Sequence, residues 1–365
     1  MSFSAADHGF MARALRLAER GLYTTTPNPR VGCVIVKDAR IVGESWHQRA
    51  GEAHAEVGAI AAAGAAAREA TVYVNLEPCS HHGRTPPCAD ALIAAGVGRV
   101  VAAMRDPNPL VAGTGLERLR AAGVTAECGL LEAAAVELNA GFVARMSRGR
   151  PWLRLKVAAS LDGRTALANG DSRWITGAAA RRDGHHWRAR ACAILSGSGT
   201  LRADDPSLTV REVATTRQPL RVVADSGFSL SLQAKALQDG NLLVAGATDH
   251  AARRAALHAA GAETVLLPGA DGRVDLSALL AELARRGCNE VHAEGGATLN
   301  GALLEAGLVD EILIYLAPTL LGASARGMFG LAPLADLAGR HDLVITDLRR
   351  IGTDIRVLAR PAPAA

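Results

Sequence analysis

Aromatic side chains are scarce in this chain, because Phe, Trp and Tyr together make up only 3% of its 365 residues. The hydrophobic cores must therefore be built from Ala, Val, Leu and Ile. No apolar run approaches the ~18 residues of a membrane-spanning helix, so no membrane partner is expected. The net charge is only +4, from 40 basic and 36 acidic residues. That balance gives no broad positive surface for nonspecific nucleic-acid binding.

Cysteine is also sparse, with six residues that show no disulfide framework. A reducing cytoplasm is the simplest location for such a chain. The first 20 residues lack an apolar segment followed by a cleavage site, and their apolar spacing instead predicts an amphipathic helix. A transit peptide is the alternative for this segment. Asp7 and Glu19 argue against it, because such peptides contain few acidic residues.

The chain alternates predicted strands and helices in both halves, which favours α/β layered sheets. Hydrophobic residues at 49% and charged residues at 21% exclude a disordered chain. A single helix is predicted over 133–146, and the last strands form a predicted antiparallel hairpin around 352–353 on a mixed sheet. The segment 147–151 has the composition of a linker. We therefore expect two domains, over 1–147 and 151–362.

The strongest motif of the first half combines one histidine with two cysteines. His54 stands two residues before Glu56, and Cys79 and Cys88 are separated by eight residues. One imidazole and two thiolates make three ligands of a tetrahedral zinc ion, and a fourth position left to water is typical of a catalytic site. The alternatives are a structural zinc ion and a chance association, which two cysteines alone would favour.

Glu56 lies at the start of a predicted helix, where it can face the open position without being a ligand. Such a carboxylate takes a proton from a metal-activated water and delivers it to a departing amine. His-x-Glu followed by Pro-Cys is the signature of the zinc deaminases that act on nucleobases. Their usual second half is Cys-x-x-Cys, whereas the loop between the two cysteines is longer here.

Three further motifs of the first half resemble one family, the bifunctional deaminase–reductases of riboflavin biosynthesis. The motifs are PNPRVG at 27–32, SHHGRTPP at 80–87 and DPNP at 106–109. The resemblance implies a cytidine-deaminase-like α/β/α domain in which Asn28, His47 and Arg84 contact an aminopyrimidine or its ribose phosphate. His81 and His82 are either extra metal ligands or, as is more common for loop histidines, substrate contacts or solvated side chains.

The second half contains no Gly-x-Gly-x-x-Gly between a strand and a helix, so a Rossmann dinucleotide site is unsupported. Instead, a predicted strand runs into the glycine pair of 294–296 before a helix, and a small-residue turn at 196–200 follows another strand. Glycines before a helix N-terminus expose backbone N–H groups to an anion, so two such turns can hold a dinucleotide. The alternative is ordinary helix–strand packing, because Gly-Gly turns are common.

Several motifs of the second half are similar to the reductase domain of the same family. They are LKVAASLDGR at 155–164, SRWI at 172–175, TLRADDPSLTVR at 200–211 and EGG at 294–296. The resemblance implies a dihydrofolate-reductase-like mixed-sheet domain that uses NADPH. The implied cofactor contacts are Ala158, Trp174, Thr200, Asp204 and Gly296. The implied substrate contacts are Ser172, Arg188, Leu208, Arg211 and Glu294.

Two of these arginines suit the 5′-phosphate of a nucleotide-like substrate. Arg188 and Arg211 carry guanidinium groups, which bind phosphate bidentately. For Arg188 the alternative is a solvated helix face. Lys156 and Asp204 are the polar groups expected near C1′ of the ribose, with no assignment of the group that donates a proton.

The leading hypothesis is one enzyme with two consecutive activities on a phosphorylated aminopyrimidine. Zinc-dependent deamination would come first, and NADPH reduction of the ribosyl group would follow. The resemblance also makes a homo-oligomer the expected assembly. One alternative is a deaminase of cytidine or tRNA adenosine with a nonenzymatic appendage, which would need a basic stripe with stacking aromatic residues. The other is a noncatalytic, zinc-stabilised binding module, which would need a closed four-ligand site.

Overall fold

The computed structural model describes residues 3–80, 86–109 and 111–362. Its backbone divides into two units, Met1–Gly149 and Arg150–Ala365, and each has its own main sheet. In the described part of the chain, no helix is both long and apolar enough to cross a membrane.

The N-terminal unit is a mixed sheet with helices packed on it. Its described elements are α1 (Ala5–Glu19), β1 (Gly32–Lys37), β2 (Arg40–Trp46), α2 (Ala55–Ala63), a 3-10 turn (Gly64–Ala67), β3 (Thr71–Val74), α3 (Cys88–Ala94), β4 (Arg99–Ala102), α4 (Thr114–Ala121), β5 (Thr125–Cys128), α5 (Glu132–Leu138) and α6 (Ala140–Arg148). The strands lie in the order β2-β1-β3-β4-β5. Because β3, β4 and β5 are parallel, the segments that follow β3 and β4 leave the sheet at the same edge.

Helix α1 shows how this unit builds a core with few aromatic residues. The helix begins at a capping box, in which the Ser4 hydroxyl accepts a hydrogen bond from the Asp7 amide and the Asp7 carboxylate accepts one from the Ser4 amide. Its buried face includes Met11, as the amphipathic spacing predicts. A Cβ atom at Gly32 of β1 would lie only 2.1 Å from the Ala14 carbonyl oxygen, so the helix backbone packs directly on the strand.

The C-terminal unit is built on a larger mixed sheet. Its described elements are β6 (Trp152–Ser160), β7 (Arg164–Ala166), α7 (Ala178–Arg190), β8 (Ala193–Gly197), α8 (Ser198–Asp204), β9 (Leu220–Ala224), a 3-10 turn (Lys235–Leu237), β10 (Leu242–Gly246), α9 (Ala251–Ala259), β11 (Ala262–Leu266), α10 (Leu276–Arg285), β12 (Glu290–Ala293), α11 (Ala297–Glu305), β13 (Glu311–Ala317), β14 (Arg326–Gly327), a 3-10 turn (Leu337–Gly339), β15 (Leu343–Ile351) and β16 (Asp354–Pro361). The strand order is β11-β10-β9-β8-β12-β6-β13-β16-β15. Strands β6, β8 and β12 are parallel neighbours, so their carboxyl ends meet at one edge.

The predicted α/β fold class is confirmed, because helices pack on a mixed sheet in each unit. The predicted hairpin at 352–353 is also found, with β15 and β16 paired antiparallel.

The single helix predicted over 133–146 is wrong, because it breaks at Asn139. The Asn139 side chain is buried and makes two hydrogen bonds to the backbone of Arg30. Strands β2 and β5 were not predicted, since their exposed and half-exposed positions lack a strong apolar pattern.

Candidate active sites

The three predicted metal ligands lie together where two helices begin. His54 is the N-cap residue of α2 and Cys88 is the first residue of α3. The Nδ1 atom of His54 lies 3.1 Å from the Cys88 Sγ atom and 3.7 Å from the Cys79 Sγ atom. All three ligand atoms are within 4.8 Å of one another. A soft donor set of one imidazole and two sulfurs at this spacing fits a tetrahedral zinc ion.

Hydrogen bonds within this cluster shift the pKa values of its two thiols in opposite directions. A hydrogen bond from the Cys88 thiol, with help from His54, lowers the pKa of Cys79 to about 4. The same hydrogen bond, together with burial, raises the pKa of Cys88. The Cys88 amide also donates to the Cys79 Sγ atom over 3.3 Å. A divalent cation bound by both sulfurs would stabilise both of them as thiolates.

Glu56 is the second residue of α2 and only 3% exposed. Its Oε2 atom is fully buried and has no hydrogen-bond partner among the described residues. Burial raises the pKa of the Glu56 carboxyl group. A buried carboxylate oxygen without a partner is costly unless a ligand or water satisfies it. It is not one of the three clustered ligands, so the geometry fits a proton carrier beside the metal position.

Two of the predicted pyrimidine contacts hold one another in a defined orientation. The Nδ1 atom of His47 lies 3.1 Å from the Ala53 carbonyl oxygen, so Nδ1 is the protonated nitrogen. The Nε2 atom then accepts a hydrogen bond of 3.0 Å from the Asn28 amide nitrogen. This arrangement directs the Asn28 carbonyl oxygen away from the imidazole. The His47 ring packs edge-on against that of His54, with centroids 5.5 Å apart. Arg84, the third predicted contact, lies outside the described residues, as do His81 and His82.

The C-terminal unit contains a cleft of about 870 Å³ at the carboxyl ends of β6, β8 and β12. Seven of the predicted reductase residues line it. They are Lys156, Ala158, Ser172, Thr200, Asp204, Glu294 and Gly296. Clefts at this edge of a mostly parallel sheet are where α/β proteins bind ligands.

The two glycines that precede α11 have different structural roles. A Cβ atom at Gly295 would come within 2.9 Å of the Leu299 side chain, so Gly295 allows the helix to pack closely on its strand. A Cβ atom at Gly296 would find its nearest neighbour, the Thr200 hydroxyl oxygen, 3.8 Å away. Gly296 is the N-cap of α11 and provides no side-chain cap. The open backbone at this helix N-terminus fits the phosphates of NADPH.

Glu294 is the centre of a buried charge cluster on the cleft wall. Its carboxylate forms a bidentate ion pair with Arg188 at 2.5 and 2.8 Å. The Lys156 ammonium lies 3.8 Å away and the His292 Nε2 atom 3.3 Å away. Burial opposes the charged carboxylate, but Arg188 and Lys156 hold the pKa of Glu294 well below its usual range. Burial lowers the pKa of Lys156, with Glu294 opposing the shift.

Four predicted reductase residues do not line the described cleft. Arg188 uses its third nitrogen to donate to the Thr209 carbonyl oxygen, so the whole guanidinium is engaged within the protein. Arg211 is exposed, and its backbone amide donates to the imidazole Nδ1 atom of His185. Leu208 is buried in an apolar cluster. Trp174 is 71% exposed, with the Arg181 guanidinium over its ring. Their roles remain predictions.

Comparison with known proteins identifies the two halves. The family model "Cytidine and deoxycytidylate deaminase zinc-binding region" matches residues 4–104, and the "RibD C-terminal domain" model matches residues 151–357. The riboflavin biosynthesis protein RibD of Escherichia coli is 50% identical over 361 residues, which cover 96% of this chain and 98% of the relative. This chain belongs to the RibD family.

Two solved structures share this fold over 98% of the chain. Acinetobacter baumannii RibD in its form 1 has a TM-score of 0.92 and 46% identity, covering 98% of this chain and 99% of that one. A diaminohydroxyphosphoribosylaminopyrimidine deaminase/5-amino-6-(5-phosphoribosylamino)uracil reductase from Thermotoga maritima has a TM-score of 0.86 and 32% identity, with the same coverage. The predicted family and the two domain folds are thus confirmed.

Membership of the RibD family settles the general activity. The chain is a bifunctional deaminase and reductase of riboflavin biosynthesis, with zinc as the cofactor of the first activity and NADPH as that of the second. This result overturns the noncatalytic binding module. A deaminase with a nonenzymatic appendage is overturned as well, because the second unit is the reductase domain.

Two buried residues near the first site were given no role by sequence reasoning. The Arg30 side chain donates to the carbonyl oxygen of Leu138, the last residue of α5. The carboxylate of Glu77, two residues before Cys79, accepts four backbone hydrogen bonds. The available signal for Glu77 was an acidic residue three positions after the end of the apolar strand β3, but its partners lie up to 39 residues away.

Proposed function

We propose that this RibD-family chain acts on 2,5-diamino-6-ribosylamino-4(3H)-pyrimidinone 5′-phosphate in two steps. The domain at 1–147 replaces the 2-amino group by oxygen and releases ammonia. The domain at 151–362 then reduces the ribosyl group to give 5-amino-6-ribitylaminouracil 5′-phosphate. The observation that carries the proposal is the cluster of His54, Cys79 and Cys88 beside the buried Glu56 carboxylate, whose Oε2 atom has no partner among the described residues, on the same chain as a cleft that fits NADPH.

In the first step, His54, Cys79 and Cys88 would hold the zinc ion, which when bound would supply the Lewis acidity that lowers the pKa of a water molecule. Glu56 accepts a proton from that water and donates it to the departing amine. Its burial favours this role, because a raised pKa makes it easier for the carboxyl group to hold the proton before passing it on. The pyrimidine and its ribose phosphate are bound by Asn28, His47 and Arg84.

In the second step, the cleft would hold NADPH, which when bound would supply the hydride for C1′ of the opened ribosylamine, and the protein orients the two reactants. The residues proposed to bind NADPH are Ala158, Trp174, Thr200, Asp204 and Gly296. Those proposed to bind the substrate are Ser172, Arg188, Leu208, Arg211 and Glu294. Lys156 is held on the cleft wall, where its ammonium group can donate a hydrogen bond toward the reacting ribose.

The direct test incubates the purified full-length chain with the diaminopyrimidine substrate, with and without NADPH. We expect ammonia release in both samples, because deamination precedes reduction and does not need NADPH. In the sample that contains NADPH, the nicotinamide absorbance should then fall. Ammonia and nicotinamide absorbance are followed separately. Nicotinamide oxidation without ammonia release would contradict the order of steps, and failure to release ammonia at all would reject the substrate.

We also propose that the chain is a cytoplasmic homo-oligomer. All six cysteines lie within the described residues and are thiols rather than disulfides, in keeping with a reducing compartment. Strand β15 is the last strand of its sheet and carries exposed apolar side chains, including Val344, Ile345 and Leu348 at 52%, 61% and 63%. An apolar edge strand of this kind pairs readily with another chain. A second copy of this chain would bury its exposed apolar side chains and pair with its open edge.

The double variant Ile345→Lys/Leu348→Lys is expected to convert the oligomer into monomers, because two charges would have to be buried in the interface. Light scattering coupled to gel filtration measures the mass. Leu232→Lys is the matched control, since Leu232 is another exposed apolar residue of the same unit, 41% accessible and outside the hairpin. The proposal is rejected if the unmodified chain is monomeric or if the double variant keeps the mass of the native assembly.

A further inference from the structure

Glu77 occupies an unusual position for a carboxylate, because it is 2% exposed and is surrounded by backbone amides. Its Oε2 atom accepts hydrogen bonds from the amides of Asp106 and Gly113, at 3.1 and 2.9 Å. Its Oε1 atom accepts from the amides of Gly115 and Leu116, at 2.9 and 3.1 Å. Four charge-assisted hydrogen bonds join one side chain to the loop after β4 and to the first turn of α4.

The Glu77 carboxylate takes the place of a side-chain cap on α4. The N-cap residue of that helix is Gly113, which has no side chain to offer and adopts a left-handed conformation. A carboxylate at a helix N-terminus also interacts favourably with the helix dipole. The approach is close, because a Cβ atom at Gly115 would lie 1.9 Å from the Pro78 carbonyl oxygen. Helix α4 therefore rests on the backbone that leads into Cys79.

The same helix contacts the other side of Cys79 and the helix that carries the second sulfur ligand. The Ser80 and Thr114 hydroxyl oxygens lie 2.6 Å apart. The Arg118 guanidinium donates to the Ser80 carbonyl oxygen at 3.2 Å and pairs with Asp90 of α3 at 2.6 Å. Asp90 is two residues after the cysteine that begins α3. One helix thus connects both cysteine-bearing segments.

We propose that Glu77 is a positioning residue of the metal centre. By anchoring α4 against residues 77–80, it sets the separation of the Cys79 and Cys88 sulfur atoms and thereby the affinity for zinc. The inference rests on the proposed function of this cluster as the zinc site. Groups that orient metal ligands without touching the metal typically change affinity by roughly 10–100-fold when they are altered.

Glu77→Gln is the informative substitution because it preserves size and removes acceptor capacity. A glutamine offers one oxygen, and its NH2 group would face two backbone N–H donors. We expect zinc to bind the full-length variant roughly 10–100-fold more weakly, as measured by competition with a chelating dye. The visible absorption of the cobalt-substituted variant should also change, because it reports the ligand geometry. Reductase activity on the preformed intermediate should match that of the native chain.

Glu117→Gln is the matched control. Glu117 is exposed in the first turn of the same helix, so its substitution makes the same change of charge without touching residues 77–80. We expect this variant to keep the native zinc affinity and cobalt spectrum. Native zinc affinity and an unchanged spectrum in Glu77→Gln would show that Glu77 only stabilises the fold, which overturns the inference. If the native chain itself binds no zinc, the proposed function fails as well.

A second substitution decides the matter if Glu77→Gln does not fold. Arg118→Met acts from the exposed side of α4, where the side chain is 45% accessible, and removes the contacts to Ser80 and Asp90. Faster release of zinc from this variant at an unchanged melting temperature supports positioning by α4, and Arg118→Lys should restore part of the native rate. Release at the native rate rejects the inference.

Discussion

Glu56→Gln is expected to abolish ammonia release while zinc remains bound and reduction of the preformed intermediate continues. Glutamine keeps the size of the side chain but cannot accept and return a proton. Loss of a general acid–base group typically costs roughly 10²–10⁴-fold in rate. The metal should stay, because the three clustered ligands do not include Glu56. The variant also replaces a buried carboxylate, whose Oε2 atom has no described partner, by a neutral amide of the same size. The N-terminal unit should therefore not be destabilised.

Three measurements on one preparation separate these effects. Zinc content is read by elemental analysis, deamination by ammonia release, and reduction by nicotinamide absorbance on the intermediate supplied ready-made. Glu19→Gln makes the same chemical change at an exposed position at the end of α1 and should leave all three values unchanged. Deamination by Glu56→Gln at the native rate would remove the assigned role. Loss of zinc would instead make Glu56 a ligand.

Glu294→Gln is expected to remove reductase activity and to destabilise the C-terminal unit. The carboxylate pairs with Arg188 and also lies 3.8 Å from the Lys156 ammonium, so its single negative charge offsets part of the positive charge of both. Removing one partner of a buried ion pair costs about 3–5 kcal/mol, because the remaining charge stays buried without compensation. The Lys156 ammonium would lose the neighbour that opposes the lowering of its pKa by burial. A lower pKa favours the neutral amine of Lys156, which cannot present an ammonium group to the reacting ribose.

Glu263→Gln provides the comparison for this loss of charge. Glu263 pairs with Arg286 at 2.7 Å, but its side chain is 66% exposed, so the change should cost less than about 1 kcal/mol. Denaturant unfolding followed by circular dichroism gives the two free energies, and nicotinamide oxidation on the preformed intermediate gives the activity. Ammonia release should be unchanged in both variants. Equal stability of Glu294→Gln and the native chain would show that the cluster is not a coupled, buried network.

Residue chemistry made the zinc site predictable from the sequence. Imidazole and thiolate groups at His54, Cys79 and Cys88 are a donor set with few other uses in a chain of six cysteines, so their pattern is informative on its own. The alternation of strands and helices was also local, and it indicated the α/β class and the final hairpin. The break at Asn139 was not visible, because the partner of that side chain is Arg30, 109 residues earlier.

The amino-acid sequence by itself determined which chemical groups this protein possesses and which elements carry them. Only the tertiary structure decided how those groups are paired. Glu294 and Arg188 are 106 residues apart, and Glu77 and Leu116 are 39 apart. Their contacts depend on which strands become neighbours, and the energy of a buried charge depends on the partner that folding brings to it. Local periodicity in the sequence predicts neither which strands are neighbours nor which partner a buried charge will have.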